Sequence, residues 1–379
     1  MRVADLDSDG IARWAELLQH SLEPYPFLDP RMLVPAAQLR PADGDMSLIF
    51  IEDETQLVAI MPFRRFALVK SPPLEGLQSE NEFLDKESTW NHPLVLASRP
   101  GEAFECLFAG LKSLGLPHLV EFTLLPSGGA LELAMKDAAE RLKVPLLVRE
   151  THEFARAVNA TPTSIGPGLE PSFQLRTTTS ATRRKVARFS RGLEAELGHK
   201  LHIEERSADP TAVSRFIDLQ ASGWKGDPSR GGAGIRVMGY ERWFDAVTDR
   251  YRKDGDLLVY ALTGGTRVVY MNVMFRIGES VFGYADAYDE RFSAFNPGML
   301  GRAAAVNAAL GAPGVRIFDP NLSPHYRDAS RAFPDRQTRV KLLAANGGVS
   351  SHAMVRGLPA VRELRRRLTR ERPSADVAE

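Results

Sequence analysis

The most constraining feature of this sequence is a run of three alternating apolar segments between residues 257 and 287. Two-residue turns, Gly264-Gly265 and Gly278-Glu279, separate the segments 257–263, 266–277 and 280–287. Glycine accepts the positive φ that two-residue hairpins need, so the pattern predicts an antiparallel meander of three strands. Such a sheet must bury at least one face against other elements, and the helical patterns around it indicate an α/β or α+β fold.

The last strand of this meander leads through a polar turn into an alanine-rich helix at about 298–311. The turn contains Asn296, Pro297 and Gly298, and proline is favoured at the first position of a helix. The first N–H groups of a helix have no partner within it, and they bind anions, phosphate above all. The sequence therefore predicts an anion site at the start of this helix.

Helical and strand patterns alternate through the rest of the chain. Ser8 is expected to cap the first helix, at 8–22. Further helices are predicted at 101–114, 129–142, 183–194, 211–222 and 240–251. Further strands are predicted at 48–51, 57–63, 93–96, 118–122, 145–148, 201–204 and 315–320.

Residues 161–182 interrupt this rhythm. Prolines, glycines and hydroxyl side chains are concentrated there, which is typical of a linker. At 379 residues the chain has room for two domains of ordinary size. We expect a first domain at 1–160, a second at 183–350, and a basic helix and tail at 351–379.

Composition excludes several classes of protein. The 48 basic and 48 acidic residues cancel, which argues against a nucleic-acid partner because such binders are usually basic. The single cysteine, Cys106, excludes an intramolecular disulfide and a cysteine-based metal cluster, and we expect it to be buried. No stretch is apolar over the roughly 20 residues of a membrane span, and the first residues lack a secretory pattern. The predicted location is therefore the cytoplasm.

The order of these patterns resembles the Gcn5-related N-acetyltransferase (GNAT) superfamily. The most similar branch is that of the cellulose-biosynthesis-type acetyltransferases, which are related to the Fem peptidyltransferases. The pieces that carry the resemblance span about 183–335: the basic helix Arg183–Leu193, the helix from Phe216 to Trp224, Gly255–Ala261 with Thr266–Val273, Ala287-Tyr288-Asp289 before Asn296-Pro297-Gly298, and Phe318-Asp319-Pro320. The first half resembles the degenerate first copy that such proteins carry. The implied fold is α/β (α+β), with two tandem GNAT-like domains, each a mixed, mostly antiparallel sheet flanked by helices.

Two segments depart from the family pattern. Members usually have Tyr-Lys after the last motif strand, where this chain has His325-Tyr326-Arg327. The Arg/Gln-x-x-Gly-x-Gly/Ala loop of ordinary N-acetyltransferases is replaced by residues 293–298. The replacement keeps free N–H groups at a helix start without the usual signature.

The resemblance implies an acyltransferase that uses acetyl-CoA or a longer acyl-CoA. The acyl group would pass to an amine, or a hydroxyl, of a small molecule, an amino sugar or a peptide. In this interpretation the helix start holds the pyrophosphate of the cofactor, and strand 280–287 pairs with the pantetheine amides. The residues expected to bind the cofactor are Ala285, Ala287, Asn296, Gly298, Met299 and Leu300.

Acyl transfer needs a base for the acceptor, donors for the oxyanion and a proton for the leaving thiolate. The candidate bases are Asp286, Asp289, Asp319 and His325. Asp286 and Asp289 also have a structural interpretation, as turn or cap residues, and a histidine in a loop is often simply exposed. The candidate acids or oxyanion donors are Tyr288 and Tyr326, whose alternative role is packing.

Four further residues are candidates for substrate binding. Trp224 and Lys225 follow a predicted helix, and the lysine could pair with a carboxylate or phosphate of the substrate or lie on the surface. Tyr25 and Phe27 lie in a proline-rich loop that could line a pocket or pack against the core.

Two other hypotheses stay open at this point. Fem-type relatives use aminoacyl-tRNA to build peptide bridges on a cell-wall precursor, and the basic helix at 183–191 would then contact RNA. Alternatively, the chain is a non-catalytic partner in polysaccharide or envelope biosynthesis, which the missing lysine after Tyr326 favours. The oligomeric state has no signature in the sequence.

Overall fold

A computed structural model describes residues 1–40, 42–54, 56–70, 73–158, 171, 173, 180–326, 333 and 335–358. Most of the predicted linker at 161–182, the tail beyond residue 358 and Arg327 lie outside the described residues. Within the described part of the chain, no helix is both long enough and apolar enough to span a bilayer.

The described strands form one continuous mixed sheet. Their bounds are β1 Ser47–Glu52, β2 Leu57–Lys70, β3 Pro73–Gln78, β4 Leu94–Val95, β5 Leu119–Pro126, β6 Leu146–Val158, β7 Leu201–Glu205, β8 Leu257–Gly264, β9 Arg267–Ile277, β10 Ser280–Tyr288, β11 Ile317–Asp319 and β12 Asp335–Ala345. The strand order is β1-β2-β3-β5-β12-β6-β11-β10-β9-β8-β7, with β4 beside β2. Only the β3–β5 and β10–β11 pairs are parallel among the described strands.

Helices cover both faces of this sheet. Their bounds are α1 Ser8–Gln19, α2 Pro30–Leu39, α3 Glu82–Glu87, α4 Pro100–Ser113, α5 Ala130–Arg141, α6 Ser180–Leu197, α7 Ala212–Ser222, α8 Glu241–Lys253 and α9 Pro297–Gly311. Residues 349–358 are also helical, and Val355 packs there beside Leu119 and Leu343. The predicted fold class, with tandem halves of mixed sheet flanked by helices, is confirmed.

The predicted meander is present as β8, β9 and β10, all antiparallel. Gly265 and Gly278 both have positive φ in the connecting turns, as two-residue hairpins require. The meander ends at the segment that leads into α9, so the order of elements in this half is the predicted one.

The last described strand returns to the first half of the chain. β12 lies between β5 and β6 and pairs antiparallel with both. β6 in turn pairs with β11 of the second half. The two halves therefore share a sheet, and we keep the predicted domain boundaries as a proposal.

The two halves also share a hydrophobic core. One cluster joins Trp14, Phe27 and Leu33 of the first half to Trp243 and Phe275 of the second. α2 packs directly against α8. The residues packed between the halves therefore belong to one hydrophobic core, unlike those of an interface between two separately folded domains.

Several local predictions were wrong. Asp7, not Ser8, caps α1, with its side chain accepting from the Gly10 N–H at 2.8 Å. Cys106 is exposed on α4 rather than buried. α2, which follows the proline-rich loop, was not predicted, although Asp29 caps it and Pro30 opens it.

Candidate active site

A cavity of about 800 Å³ lies where the meander meets the first half. One wall is the end of β10, and another is the loop that follows β11. The first half contributes the segment from Asp85 to Thr89. Clefts of this size between structural units are common binding sites.

β10 presents an unpaired edge to this cavity. It pairs with β11 only along Ser280–Phe282, because β11 ends at Asp319, directly before Pro320. A bulge between Gly283 and Ala285 then bends the strand. Beyond it, no strand in the described part of the chain covers this edge, and the residues Gly283–Asp286 line the cavity. A ligand with amide groups can form strand-like hydrogen bonds there.

Asp286 lies on this edge between two cations. Its carboxylate accepts from Lys225 Nζ at 3.0 Å and from Arg302 Nη2 at 2.5 Å. Lys225 also donates to the Asp286 carbonyl at 2.7 Å. Burial alone would raise the pKa of Asp286, but Arg302 and Lys225 lower it to about 2. An ionised carboxylate held this way is a weak base near neutral pH.

Arg302 was not among the predicted site residues. It projects from the second turn of α9, and the three charged side chains carry a net charge of +1 at this end of the cavity. The signal in the sequence was its position four residues after Gly298, on the helix expected to face the site. Lys225, a candidate partner for a carboxylate or phosphate of the substrate, is ion-paired with Asp286.

Asp289 has the structural role that was offered as its alternative. It is buried, caps the short 3-10 helix Glu290–Phe295, and accepts from the Arg291 guanidinium at 2.6 Å. Burial raises its pKa, but the hydrogen bonds and charge of Arg291 outweigh this, and the net pKa is lowered. Asp289 does not line the cavity.

Asp319 is also engaged elsewhere. Its carboxylate is buried, pairs with Arg339 of β12, and accepts from the Trp90 indole N–H at 2.9 Å. Burial lowers the pKa of Arg339 to about 10, with Asp319 opposing the shift. The pair joins β11 to β12, and the hydrogen bond from Trp90 adds the first half to this cluster. Neither Asp319 nor Arg339 lines the cavity.

Of four further predicted residues, three line the cavity and one does not. Tyr288, Tyr326 and Trp224 line the cavity, and Tyr326 is largely exposed. His325 is exposed on the loop after β11 and does not line the cavity.

The two aromatic residues of the first half are buried away from the cavity. Tyr25 and Phe27 are fully buried in the shared core, and the Tyr25 hydroxyl donates to the His92 carbonyl at 3.0 Å. We do not retain these two side chains in the proposed site, because they are inaccessible to a substrate.

The start of α9 borders the cavity instead of lining it. Asn296 adopts a left-handed conformation with φ of 51°, and its side chain accepts from the Met299 N–H at 3.3 Å. The Asn296 carbonyl accepts from Met299 and Leu300. Among the described residues no acceptor is found for the N–H of Gly298. A Cβ added there would lie 3.1 Å from the Tyr288 ring. Asn296 therefore already accepts hydrogen bonds from two of the N–H groups that were expected to bind an anion, those of Met299 and Leu300.

A second charged group on the cavity was missed from the sequence. Tyr284 of β10 donates its hydroxyl to Glu87 Oε2 at 2.9 Å, and both residues line the cavity. Burial and the charge of Glu87 raise the pKa of Tyr284, so its hydroxyl stays protonated. Glu87 belongs to no recognisable motif, so only the fold brings it to β10.

Comparison with known proteins agrees with this geometry. Residues 180–324 match the family described as the acetyltransferase (GNAT) domain. This part of the chain is therefore similar to GNAT acetyltransferase domains. It contains the meander, the open edge of β10 and α9. No curated protein matches the chain.

Solved structures resemble the chain over most of its length. The crystal structure of FemX is 10% identical, with a TM-score of 0.52 over 88% of this chain and 95% of that chain. A conserved protein of unknown function from Bacteroides thetaiotaomicron VPI-5482 is 8% identical, with a TM-score of 0.53 over 90% and 97%. These likenesses show that the chain shares its fold with these structures over both halves, and they carry no functional detail.

No group of three or more histidine, cysteine or acidic side chains is arranged to hold a metal ion in the described part of the chain.

Proposed function

We propose that the protein transfers an acetyl or longer acyl group from acyl-CoA to an amine, or a hydroxyl, of a small-molecule, amino-sugar or peptide acceptor. The observation that carries the proposal is the open edge of β10 on the cavity, within a matched GNAT domain. A pantetheine arm has amides that can pair with such an edge, and this pairing would align the thioester.

The position of each predicted residue around this edge limits the role that it can have. Ala285 and Ala287 would pair with the donor, and Asn296, Gly298, Met299 and Leu300 remain the proposed pyrophosphate contacts. Tyr288 and Tyr326 line the cavity and are the retained candidates for donating a proton to the leaving thiolate. Asp286 would hold Lys225 and Arg302 in place rather than act as the base.

Calorimetric titration with acetyl-CoA and with longer acyl-CoAs tests the donor. We expect saturable binding of at least one of them. Absence of binding by folded protein would overturn the proposal. Binding without thiol release in the presence of any acceptor would instead favour the non-catalytic alternative in polysaccharide or envelope biosynthesis.

One observation favours a second candidate, a Fem-like transferase that uses aminoacyl-tRNA. Four cations on α6, Arg184, Lys185, Arg188 and Arg191, are exposed and have no carboxylate partner among the described residues. If they contact RNA phosphates, binding of total tRNA must weaken steeply between low and physiological salt. Acyl-CoA binding together with undetectable tRNA binding would reject this candidate.

A further inference from the structure

The first half of the chain presents a largely buried carboxylate to the cavity of the second half. The Glu87 side chain is only 13% exposed, and it lines the cavity. Its Oε1 accepts from Arg40 Nη1 at 2.6 Å, and its Oε2 accepts from the Tyr284 hydroxyl at 2.9 Å. A carboxylate offers about four lone-pair positions, so two such bonds leave acceptor capacity on the cavity side.

Hydrogen bonds fix both the side chain and the backbone of Glu87. Arg40 is fully buried, bonded by both arms to Asp43 at 3.0 and 2.6 Å, and stacked 3.7 Å from the centre of the Tyr240 ring. The backbone carbonyl of Glu87 accepts from Asn321 Nδ2 at 2.7 Å. A side chain fixed in this way is already in its binding geometry before a ligand arrives.

Asn321 connects this corner to the loop that follows β11. It adopts a positive φ of 50° and accepts from both the N–H and the hydroxyl of Thr89, at 2.8 and 2.9 Å. Residues 87–89 of the first half and the loop after β11 thus form one connected wall of the cavity. A left-handed asparagine has a cost in backbone energy, which these hydrogen bonds offset.

The charge at this corner is negative. The cations Arg40 and Lys86 stand against the carboxylates Asp43, Asp85 and Glu87, which gives a sum of −1. Lys86 is half-exposed and pairs with Asp43 at 3.1 Å. The partner of Glu87 Oε2, Tyr284, lies on the open edge of β10 where the proposed donor binds. A cationic group of a ligand in the cavity would therefore meet Glu87 beside the open edge of β10.

We propose that Glu87 binds the ammonium group of the acyl acceptor, so that the first half of the chain selects amines over hydroxyls. The bound ammonium must lose one proton to solvent water before its nitrogen forms the new bond to the acyl carbon and the thiolate of CoA leaves. This assignment rests on the proposed acyl transfer. It makes Glu87 a residue that recognises the substrate, contributed by the half that lacks the matched domain. The competing interpretation is that Glu87 only ties the two halves together through Arg40 and Tyr284.

The test measures thiol release from acetyl-CoA with glucosamine and 6-aminohexanoate, each beside its hydroxyl counterpart, glucose and 6-hydroxyhexanoate. We expect the amines to react and the alcohols not to. Glu87→Gln should raise KM for the amine about tenfold or more, as loss of a charged hydrogen bond requires, and leave KM for acetyl-CoA within about twofold. The control is Glu82→Gln, which changes an exposed residue of the same helix, α3, that does not line the cavity.

The outcomes separate the assignment from the proposed function. A purely structural role would lower the stability of Glu87→Gln and change both KM values together, which would overturn the assignment. Preference for the alcohols, or no reaction with either amine by protein that binds acetyl-CoA, would overturn it as well. If Glu87→Gln does not fold, Glu87→Asp, which keeps the charge and shortens the reach, should raise the amine KM selectively. Failure of the wild-type protein to bind acetyl-CoA would overturn the proposed function itself.

Discussion

Three aspartates of the predicted site share a residue type and differ in their surroundings. Asp286 faces the cavity between Lys225 and Arg302, Asp289 caps a short helix, and Asp319 is buried against a partner from β12. The sequence identified carboxylates near the end of the meander. It could not assign their partners, because Arg302 and Arg339 reach them only through the fold.

Asp286 should make stability depend on pH in the acid range. Its pKa of about 2 lies below the unfolded value near 3.8, so the ionised form stabilises the folded protein. This contribution, about 2 kcal/mol, is complete above about pH 4 and is lost as the pH falls toward 2. Urea unfolding of wild type and Asp286→Asn should therefore show a difference that narrows as the pH is lowered from about 5 to 3. A difference that stays constant over that range contradicts the prediction. Asp9→Asn, at an exposed position on α1, is the control.

Asp319→Asn should lower the free energy of unfolding strongly, and it should have little direct effect on acyl transfer. The change leaves Arg339 as an unpaired buried charge, at a cost of about 3–5 kcal/mol in the free energy of unfolding. Denaturant unfolding measures this loss. Glu279→Gln, which breaks the exposed pair with Arg316, should change stability by less than about 1 kcal/mol. Wild-type stability of Asp319→Asn together with lost turnover would restore Asp319 as a candidate base.

At the scale of elements, α9 contacts the meander through glycine. A methyl group at Gly301 would lie 2.0 Å from Cγ of Tyr270, so α9 approaches β9 closely at this point. The helix itself was predictable from its alanine content and the preceding proline. The close approach was not, because it depends on which β9 side chain lies beneath the helix.

Gly301→Ala should destabilise the protein by about 1–3 kcal/mol, because the added methyl forces Tyr270 or the helix to move. The matched control is Gly110→Ala in α4, where nothing lies within 4 Å of the added carbon. There the better helix propensity of alanine should raise stability by about 0.5–1 kcal/mol. Thermal or urea unfolding of both variants checks the pair, and similar losses in both would refute the packing argument.

Gly298→Val should weaken acyl-CoA binding by about tenfold while the fold is retained, a loss of about 1.4 kcal/mol. The added Cβ would lie 3.1 Å from the Tyr288 ring, so the larger side chain would press on that ring and cover the N–H of Gly298. Calorimetry with the donor that binds wild type measures the change. Unchanged affinity would remove the start of α9 from the proposed site.

At the scale of the whole molecule, the two halves are joined by pairing and by packing. β6 and β12 link the halves in one sheet, and a single core includes residues from both. The tandem fold was predictable, because the meander and the helix patterns carry local signals. β12 was not predicted: its sequence begins with charged and polar residues, including the buried Arg339, and lacks a clean alternation. The first-half residues that line the cavity were not predicted either, since they belong to no motif.

The chain should therefore unfold as one unit. Thermal unfolding followed by tryptophan fluorescence and by far-ultraviolet circular dichroism should give coincident transitions, because Trp14 and Trp243 report on one shared core. A fragment of residues 1–160 lacks β12, which leaves facing edges of β5 and β6 unpaired, and it should not give a cooperative transition. Two separated transitions in the full chain would show that the halves are independent.

The return of β12 to the first half also determines when the sheet of that half can be completed during synthesis on the ribosome. β6 ends at Val158 and β12 begins at Asp335, so the facing edges of β5 and β6 stay unpaired until the whole segment that matches the GNAT domain has been translated. Closing such a long-range pairing is slow, and exposed strand edges attract other chains in the meantime. We expect nascent chains stalled before residue 335 to be captured by chaperones and to be cleaved readily in the first half, and completed chains to become resistant.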